Sequence, residues 1–287
     1  MGSGSERIVV VTGASRGAGK GIATALGATG ATVYVTGRTR NEGDATLPGT
    51  VYATAEEITR RGGNGVPVVL DHGDDTQVEA LFERVRTEHG RLDLLVNNAL
   101  ALPDGLTDKG PFWEKPLGLL DLLDVGMRST YVSTYFAAPL LVADGGGLVV
   151  NTSSFGGTCY MHGPAYGAGK AAVDKMAHDM AVDFRPANVA VVSLWMGLLT
   201  TERTLAAFAA NPGAYDGLAA TAESPEFVGR VIDALARDPQ LMTRTGRVLI
   251  GAELAVELGV TDTDDRQPPS HRPMLGNPPE FSAAVID

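Results

Sequence analysis

Short runs of apolar, β-branched residues recur along this chain, each followed by a longer segment of helical period. That alternation limits the fold more than any other feature. The runs at 8–11, 32–35, 66–70, 92–96, 148–150, 189–194 and 248–250 are almost continuously apolar, as strands covered on both faces must be. Between them, 19–28, 52–61, 76–88, 117–141, 166–183 and 225–237 read as helices, with Asp75 and Ser224 as caps and Pro225 in a first turn. Strict alternation requires right-handed crossovers and parallel strands. The expected fold is α/β, a doubly wound, mainly parallel seven-stranded sheet in a single domain.

A chain of 287 residues with 44% hydrophobic positions can build one large core, and no linker divides it. Two segments, 99–116 and 197–223, break the rhythm, each after the C-terminal end of a strand, where open α/β sheets place ligands. Residues 261–287, rich in Pro, Asp and Arg, form a tail expected to cross the surface or reach a neighbouring subunit. The formal net charge of −11, without a basic cluster, argues against a nucleic-acid partner. No apolar run approaches the roughly 18 residues that span a bilayer. Residues 1–7 lack a signal peptide's apolar stretch, and 2–5 read as a flexible lead. A single cysteine, Cys159, cannot close an intrachain disulfide and favours a reducing compartment, so a cytoplasmic protein is expected. The histidines are scattered, with no metal-ligand spacing.

The first strand runs into Thr12-Gly13-Ala14-Ser15-Arg16-Gly17-Ala18-Gly19, and Lys20-Gly21-Ile22-Ala23 opens a helix. Glycines at 13, 17 and 19 let the backbone turn sharply and approach a pyrophosphate. The helix N-terminus offers unpaired N–H groups and a partial positive charge to that anion. Placed between the first strand and first helix, this loop indicates a dinucleotide site of the Rossmann type, with Gly13, Ser15, Arg16, Gly17 and Gly19 as contacts. The second strand ends Val35-Thr36-Gly37-Arg38. Gly37 supplies no carboxylate for an adenosine ribose, whereas Arg38 and Arg16 can clamp a 2′-phosphate, so NADP(H) is favoured.

The loop spacing, T-G-x-x-x-G-x-G, resembles that of the short-chain dehydrogenase/reductase family, and the resemblance extends to about residue 260. Asp71, at the end of the third strand, stands where the family contacts adenine. Asn97-Asn98-Ala99 matches the family's N-N-A-G, with Leu100 in place of the glycine, and Asn97 is taken as a cofactor-side residue. The fifth strand ends Asn151-Thr152-Ser153-Ser154, and Tyr166-Gly167-Ala168-Gly169-Lys170 follows, the family's serine and Tyr-x-x-x-Lys. These residue types suit hydride transfer. Negative charge develops on a carbonyl oxygen, so a proton donor must stand beside it. A phenol with pKa about 10 is a sluggish base at neutral pH. A lysine four residues on shares its helix face and, with the positive ring of an oxidised nicotinamide, is expected to lower the Tyr166 pKa, while a serine hydroxyl holds the substrate oxygen. The S-S-x-x-G pattern assigns that serine as Ser154; counting the family's thirteen residues back from Tyr166 reaches Ser153. Strand phase favours Ser154. By resemblance, Tyr166 and Lys170 also contact the cofactor, and Leu199 and Thr201, after Trp195-Met196-Gly197, hold its carboxamide.

Three positions depart from the family: Leu100, Met196 for the proline of Pro-Gly, and Gly126 for an asparagine, whose backbone carbonyl is expected still to hold a relay water for Lys170. Phe112, Trp113, Tyr160, Met161 and Trp195 are candidates for an apolar substrate pocket, with core packing equally open for Trp195. His162 reads as a loop residue. One branch of the family, which itself carries glycine where Gly126 lies, shares several of these stretches and implies NADPH-dependent carbonyl reduction. The expected protein is an oxidoreductase moving a hydride between NADP(H) and a small-molecule carbonyl or secondary alcohol. Its helices at 117–141 and 166–183 resemble the family's usual oligomer interface, implying a homodimer or homotetramer. A cofactor-binding scaffold or sensor with decayed chemistry is the rival class, motivated by the three departures.

Overall fold

Strands β1 (Ile8–Val11), β2 (Thr32–Gly37), β3 (Asn64–Val69), β4 (Leu94–Asn97), β5 (Gly147–Ser153), β6 (Val189–Trp195) and β7 (Val248–Ile250) appear at all seven apolar runs. In the computed structural model, which describes residues 6–143, 145–210, 213 and 216–286, they form one parallel sheet in the order β3-β2-β1-β4-β5-β6-β7. The lead at 2–5 lies outside the described residues. Strand order reverses between β1 and β4, and that switch point opens a crevice at their C-terminal ends.

The helices are α1 (Gly17–Gly27), α2 (Val51–Arg60), α3 (Asp75–His89), α4 (Ser129–Val142), α5 (Pro164–Phe184), α6 (Glu202–Ala210), α7 (Asp216–Ala219), α8 (Pro225–Ala236), α9 (Gly251–Leu258) and α10 (Arg272–Leu275). Side-chain alternation along the strands divides the core. Val9 and Val11 of β1 pack toward α1, α2 and α8 through Ile22, Ile58 and Phe227. Ile8 and Val10 pack toward α3, α4 and α5 through Phe82, Leu140 and Phe184. Both layers are buried, and each such aliphatic side chain contributes about 1.5–3 kcal/mol of transfer free energy.

Ser224 caps α8 as expected, its hydroxyl accepting from Phe227 N at 3.1 Å. The cap of α3, however, is Asp74, which accepts from the Thr76 and Gln77 amides, while Asp75 is the first helical residue and pairs with Arg128. The helix expected over 117–141 is broken. A 3₁₀ turn covers Leu117–Leu120, and a widened turn at Leu123–Arg128 leaves helical geometry at Val125 and Gly126 before α4 begins. Segment 197–223 contains α6 and α7. The tail folds back on its own chain: Arg272 pairs with Glu253 at 2.5 Å, and His178 Nε2 lies 3.1 Å from Ser282 O. Among the described residues no helix is long and apolar enough to cross a membrane, and no group of three or more His, Cys, Asp or Glu is placed to hold a metal.

Candidate active site

β1 delivers the chain into the glycine loop at the sheet's switch point. Gly13 has φ 66°, and a Cβ there would stand 2.7 Å from Ala99 Cα, so the turn between β1 and β4 admits no side chain. Asn98 clamps the same turn, its Nδ2 donating to Thr12 O at 2.9 Å and Gly13 O at 3.1 Å. Sequence spacing marked the asparagine pair but not which member faces the loop. Asn97 lies beneath it, donating to Thr134 Oγ1 and Asn151 Oδ1, both at 2.9 Å, and does not line the cleft.

A cleft of about 560 Å³ runs along the strand ends. Gly13, Ser15, Arg16, Gly17, Gly19, Arg38, Asp71, Ser154, Tyr166, Lys170 and Thr201 line it. Leu199 does not: it is buried in the core beside α8 and bridges to Glu223. At the end of β2 the two arginines differ. Arg16 is committed, donating to Thr39 Oγ1 at 2.9 Å, Pro48 O at 3.0 Å and Gly49 O at 2.7 Å, so it orders the 39–49 loop. Arg38 is 73% exposed, with Asp71 3.8 Å away. Its guanidinium thus fronts the cleft with most of its donors open. Next to Asp71, His72 is buried with Nε2 2.8 Å from Thr36 Oγ1, and burial lowers its pKa to about 4, keeping it neutral.

At the other end, Ser154 leaves β5 in extended conformation and α5 starts at Pro164, which brings Ser154 Oγ within 2.9 Å of Tyr166 OH. Ser153 points away, its Oγ 3.4 Å from Lys170 O. Lys170, one turn after Tyr166, is buried, with Nζ donating to Thr152 O at 3.1 Å and lying 5.8 Å from the Tyr166 ring centre. Burial draws the Lys170 ammonium down to about 8, with Asp174 opposing. The same burial pushes the Tyr166 phenol above its ordinary value, and the Ser154 hydrogen bond only partly offsets this. Desolvation sets the direction, the lowering expected from Lys170 together with an oxidised nicotinamide plays no part here, and the phenol holds its proton. The group is poised as an acid.

The expected aromatic pocket is not assembled. Trp195 is fully buried against Phe155 and Asp174, whereas Phe112, Trp113 and Tyr160 project into solvent. The wall near Tyr166 is instead Leu100, Leu106, Leu119, Leu122 and Ala165. His162, at φ 59°, meets the Tyr166 ring edge-on at 5.1 Å.

Two of the three departures prove to be one change. Gly126 has φ 151°, and a Cβ there would stand 2.6 Å from Leu100 Cδ1. Leu100 fills the space that a side chain at 126 would need. The Gly126 carbonyl, expected to hold a relay water, accepts the Thr130 hydroxyl at 2.6 Å. At the third departure, the Met196-Gly197 turn is held from behind by Glu223, whose Oε2 accepts the Gly197 amide at 3.2 Å. Glu223 is buried with Oε1 unpartnered, and desolvation pushes its carboxyl up to about 7. Sequence carried no sign of this brace, because its partners are 26 residues apart.

Comparison with known proteins agrees with this geometry. Residues 7–211 match the family model for short chain dehydrogenase. Dehydrogenase/reductase SDR family member 1 of Mus musculus is 42% identical over 271 residues, covering 91% of this chain and 84% of that protein. The Homo sapiens protein of the same name is 40% identical over 271 residues, with the same coverage of 91% and 84%. A solved short chain dehydrogenase from Mycobacterium thermoresistibile superposes with a TM-score of 0.77 at 25% identity, over 92% of each chain. A parallel seven-stranded sheet, a glycine loop at its switch point and a matched family model over most of the chain lead to one conclusion: this protein belongs to the short-chain dehydrogenase/reductase family of oxidoreductases, which bind a nicotinamide cofactor.

Proposed function

We propose that this chain is an NADP(H)-dependent oxidoreductase acting on a carbonyl or secondary alcohol, with Tyr166 as acid/base, Lys170 as its electrostatic partner and Ser154 as oxygen anchor. The observation that carries this is the 2.9 Å contact of Ser154 Oγ with Tyr166 OH, over a buried Lys170, in the cleft that leads to the glycine loop. The two hydroxyls converge on one point, where a substrate oxygen can accept from both.

The residues fit a phosphorylated dinucleotide. No carboxylate stands at Gly37, Arg38 keeps its donors open, and Arg16 orders the adjoining loop. Gly13, Ser15, Gly17 and Gly19 would line the phosphates, Asp71 the adenine side, and Thr201 with Tyr166 and Lys170 the nicotinamide side. Asn97 and Leu199 would act from behind. When bound, the cofactor supplies or accepts the hydride. In the reductive direction Tyr166 gives its proton to the developing alkoxide while Ser154 holds that oxygen and Lys170 favours the phenolate left behind. Leu100 and its apolar neighbours exclude water from that oxygen. The departures at 100, 126 and 196 leave these contacts in place, which supports an enzyme over a decayed scaffold.

A homodimer or homotetramer belongs to the same reading, supported by Tyr131 and Tyr135 on α4 and Val182 on α5, all exposed. So does a reducing, cytoplasmic setting, supported by the free Cys159. A panel of ketones, aldehydes and secondary alcohols, assayed with NADPH and NADH side by side, tests the proposal. We expect turnover with NADPH preferred, and loss of that preference in Arg38→Ala. Cofactor binding without turnover of any panel member would overturn it.

A further inference from the structure

The face of α5 that presents Tyr166 and Lys170 continues one turn further to Asp174, a spacing of four residues that repeats. Asp174 is fully buried, yet it is not in contact with a cation. Its oxygens are held chiefly by donors from β6, with the Ser153 hydroxyl of β5 contributing as well: Ser193 Oγ donates to Oδ1 at 2.5 Å, and Trp195 Nε1 lies 3.1 Å from Oδ1 and 3.0 Å from Oδ2. The packing is tight, since a Cβ on Gly157 would stand 2.6 Å from Oδ2. A buried carboxylate held this closely by an indole and a hydroxyl is fixed in place, and each N–H or O–H favours the ionised form against the cost of burial.

Lys170 has the complementary need. Its ammonium is buried and its hydrogen-bond acceptor is the neutral Thr152 carbonyl, so nothing in direct contact balances its charge. The groups packed around the pair are the Tyr166 phenol on α5, the Ser153 hydroxyl of β5, and Ser193 and Trp195 of β6, with Cys159 near Tyr166. Of these only Lys170 and Asp174 act on each other as charges.

We propose that Asp174 is a positioning residue of the hydride-transfer site: anchored to β6 through Ser193 and Trp195, its carboxylate is the buried counter-charge that keeps the Lys170 ammonium protonated. This rests on the Tyr166–Lys170 reading above. The pKa directions agree, burial drawing Lys170 down and Asp174 up while each restrains the other. Each thereby favours the ionised form of the other, and the lysine that must favour a phenolate keeps its charge inside a buried site.

Two paired measurements test this on the full chain. In cofactor-free protein carrying ¹³Cε-labelled lysine, the Lys170 signal is assigned among five lysines by Lys170→Arg. In Asp174→Asn its titration should move down by about one pH unit, the size expected of unit charges a helical turn apart inside a protein. The high-pH limb of kcat/KM for ketone reduction should move with it. Trp195→Phe, which removes a hydrogen bond but keeps the charge, should leave the Lys170 titration in place. If Asp174→Asn does not fold, reciprocity supplies the second test: Lys170→Met must raise the Asp174 titration, followed by carboxyl ¹³C NMR, by a similar amount. Loss of kcat with an unmoved Lys170 titration, or an unmoved Asp174 titration in Lys170→Met, would overturn the proposal. Failure of the Tyr166–Lys170 reading itself would show separately, as full turnover in Tyr166→Phe.

Discussion

Glu202, the first residue of α6, accepts the Gly17 amide at 2.9 Å, so the chain sets its own carboxylate on the N-terminus of α1. An anion there is favoured by the free N–H groups and the helix dipole. Under the proposed function a cofactor phosphate would seek the same N–H groups, so Glu202 would compete with it. Glu202→Gln removes the competing charge, worth about 0.3–1 kcal/mol at a helix terminus. The dissociation constant for NADPH, measured by fluorescence titration, should fall by about 2- to 5-fold. An unchanged or weaker affinity would refute the competition.

The hydroxyl contact between Ser154 and Tyr166 separates the two candidate serines. Tyr166→Phe should lose at least about a hundredfold in kcat, the low end of general acid–base contributions. Ser154→Ala should also lose about a hundredfold or more, as removal of an oxyanion donor does. Ser153→Ala, whose hydroxyl faces the backbone of α5, should lose less than about tenfold. Initial rates of ketone reduction under saturating NADPH decide the matter, and a reversal of the two serine results would move the oxygen anchor to Ser153.

Leu100 and Gly126 should behave as a coupled pair. Gly126→Asn introduces a Cβ into Leu100 and places a side chain at φ 151°, which should cost about 1–3 kcal/mol. Leu100→Gly opens the same space. In the double variant the cost of the Gly126→Asn step should be smaller than in the single one by at least about 0.5 kcal/mol, read from a denaturant double-mutant cycle. Additive costs would show that the two sites do not share that volume.

Glu223 predicts a pH dependence of stability. Its folded-state pKa of about 7 exceeds the ordinary 4.5, chiefly through desolvation, so the folded chain keeps a proton that the unfolded chain releases in that window. The stability contributed by this proton is present below about pH 4.5 and is lost as pH rises through 7. Glu223→Gln stays neutral throughout. Its melting temperature relative to wild type should therefore rise by about 2–4 °C between pH 5 and pH 8. A constant difference across that range would contradict a buried, proton-holding carboxyl.

What could be read from sequence was local or periodic. The β1–α1 glycine loop, the Ser154 strand end and the Tyr166–Lys170 helix face each lie within one short segment, and spacing alone defines them. The break at Val125–Gly126 was hidden because apolar residues keep helical period through it, while one bond that holds it, from Ala101 N to Val125 O at 2.8 Å, comes from a segment distant in sequence. Asp74 and Asp75 are equivalent as caps by composition, and only φ and ψ distinguish them. Asp174 and Glu223 were passed over because their partners, on β6 and in the turn that follows it, are distant in sequence. The expected aromatic pocket failed for the converse reason: Phe112 and Trp113 meet edge-on in solvent, Tyr160 is exposed, Met161 joins the cluster of Phe155, and Trp195 is drawn inward by Asp174.

The collision between a Cβ at 126 and Leu100 has a bearing on descent. A lineage starting from the family's glycine at 100 and asparagine at 126 can reach this chain by one order of steps, surrendering the asparagine first and gaining the leucine second, since the opposite order crosses an overfilled intermediate. The way back runs through the same double-glycine intermediate, with the leucine lost before an asparagine is regained. The two positions therefore share one volume and are better weighed together than singly.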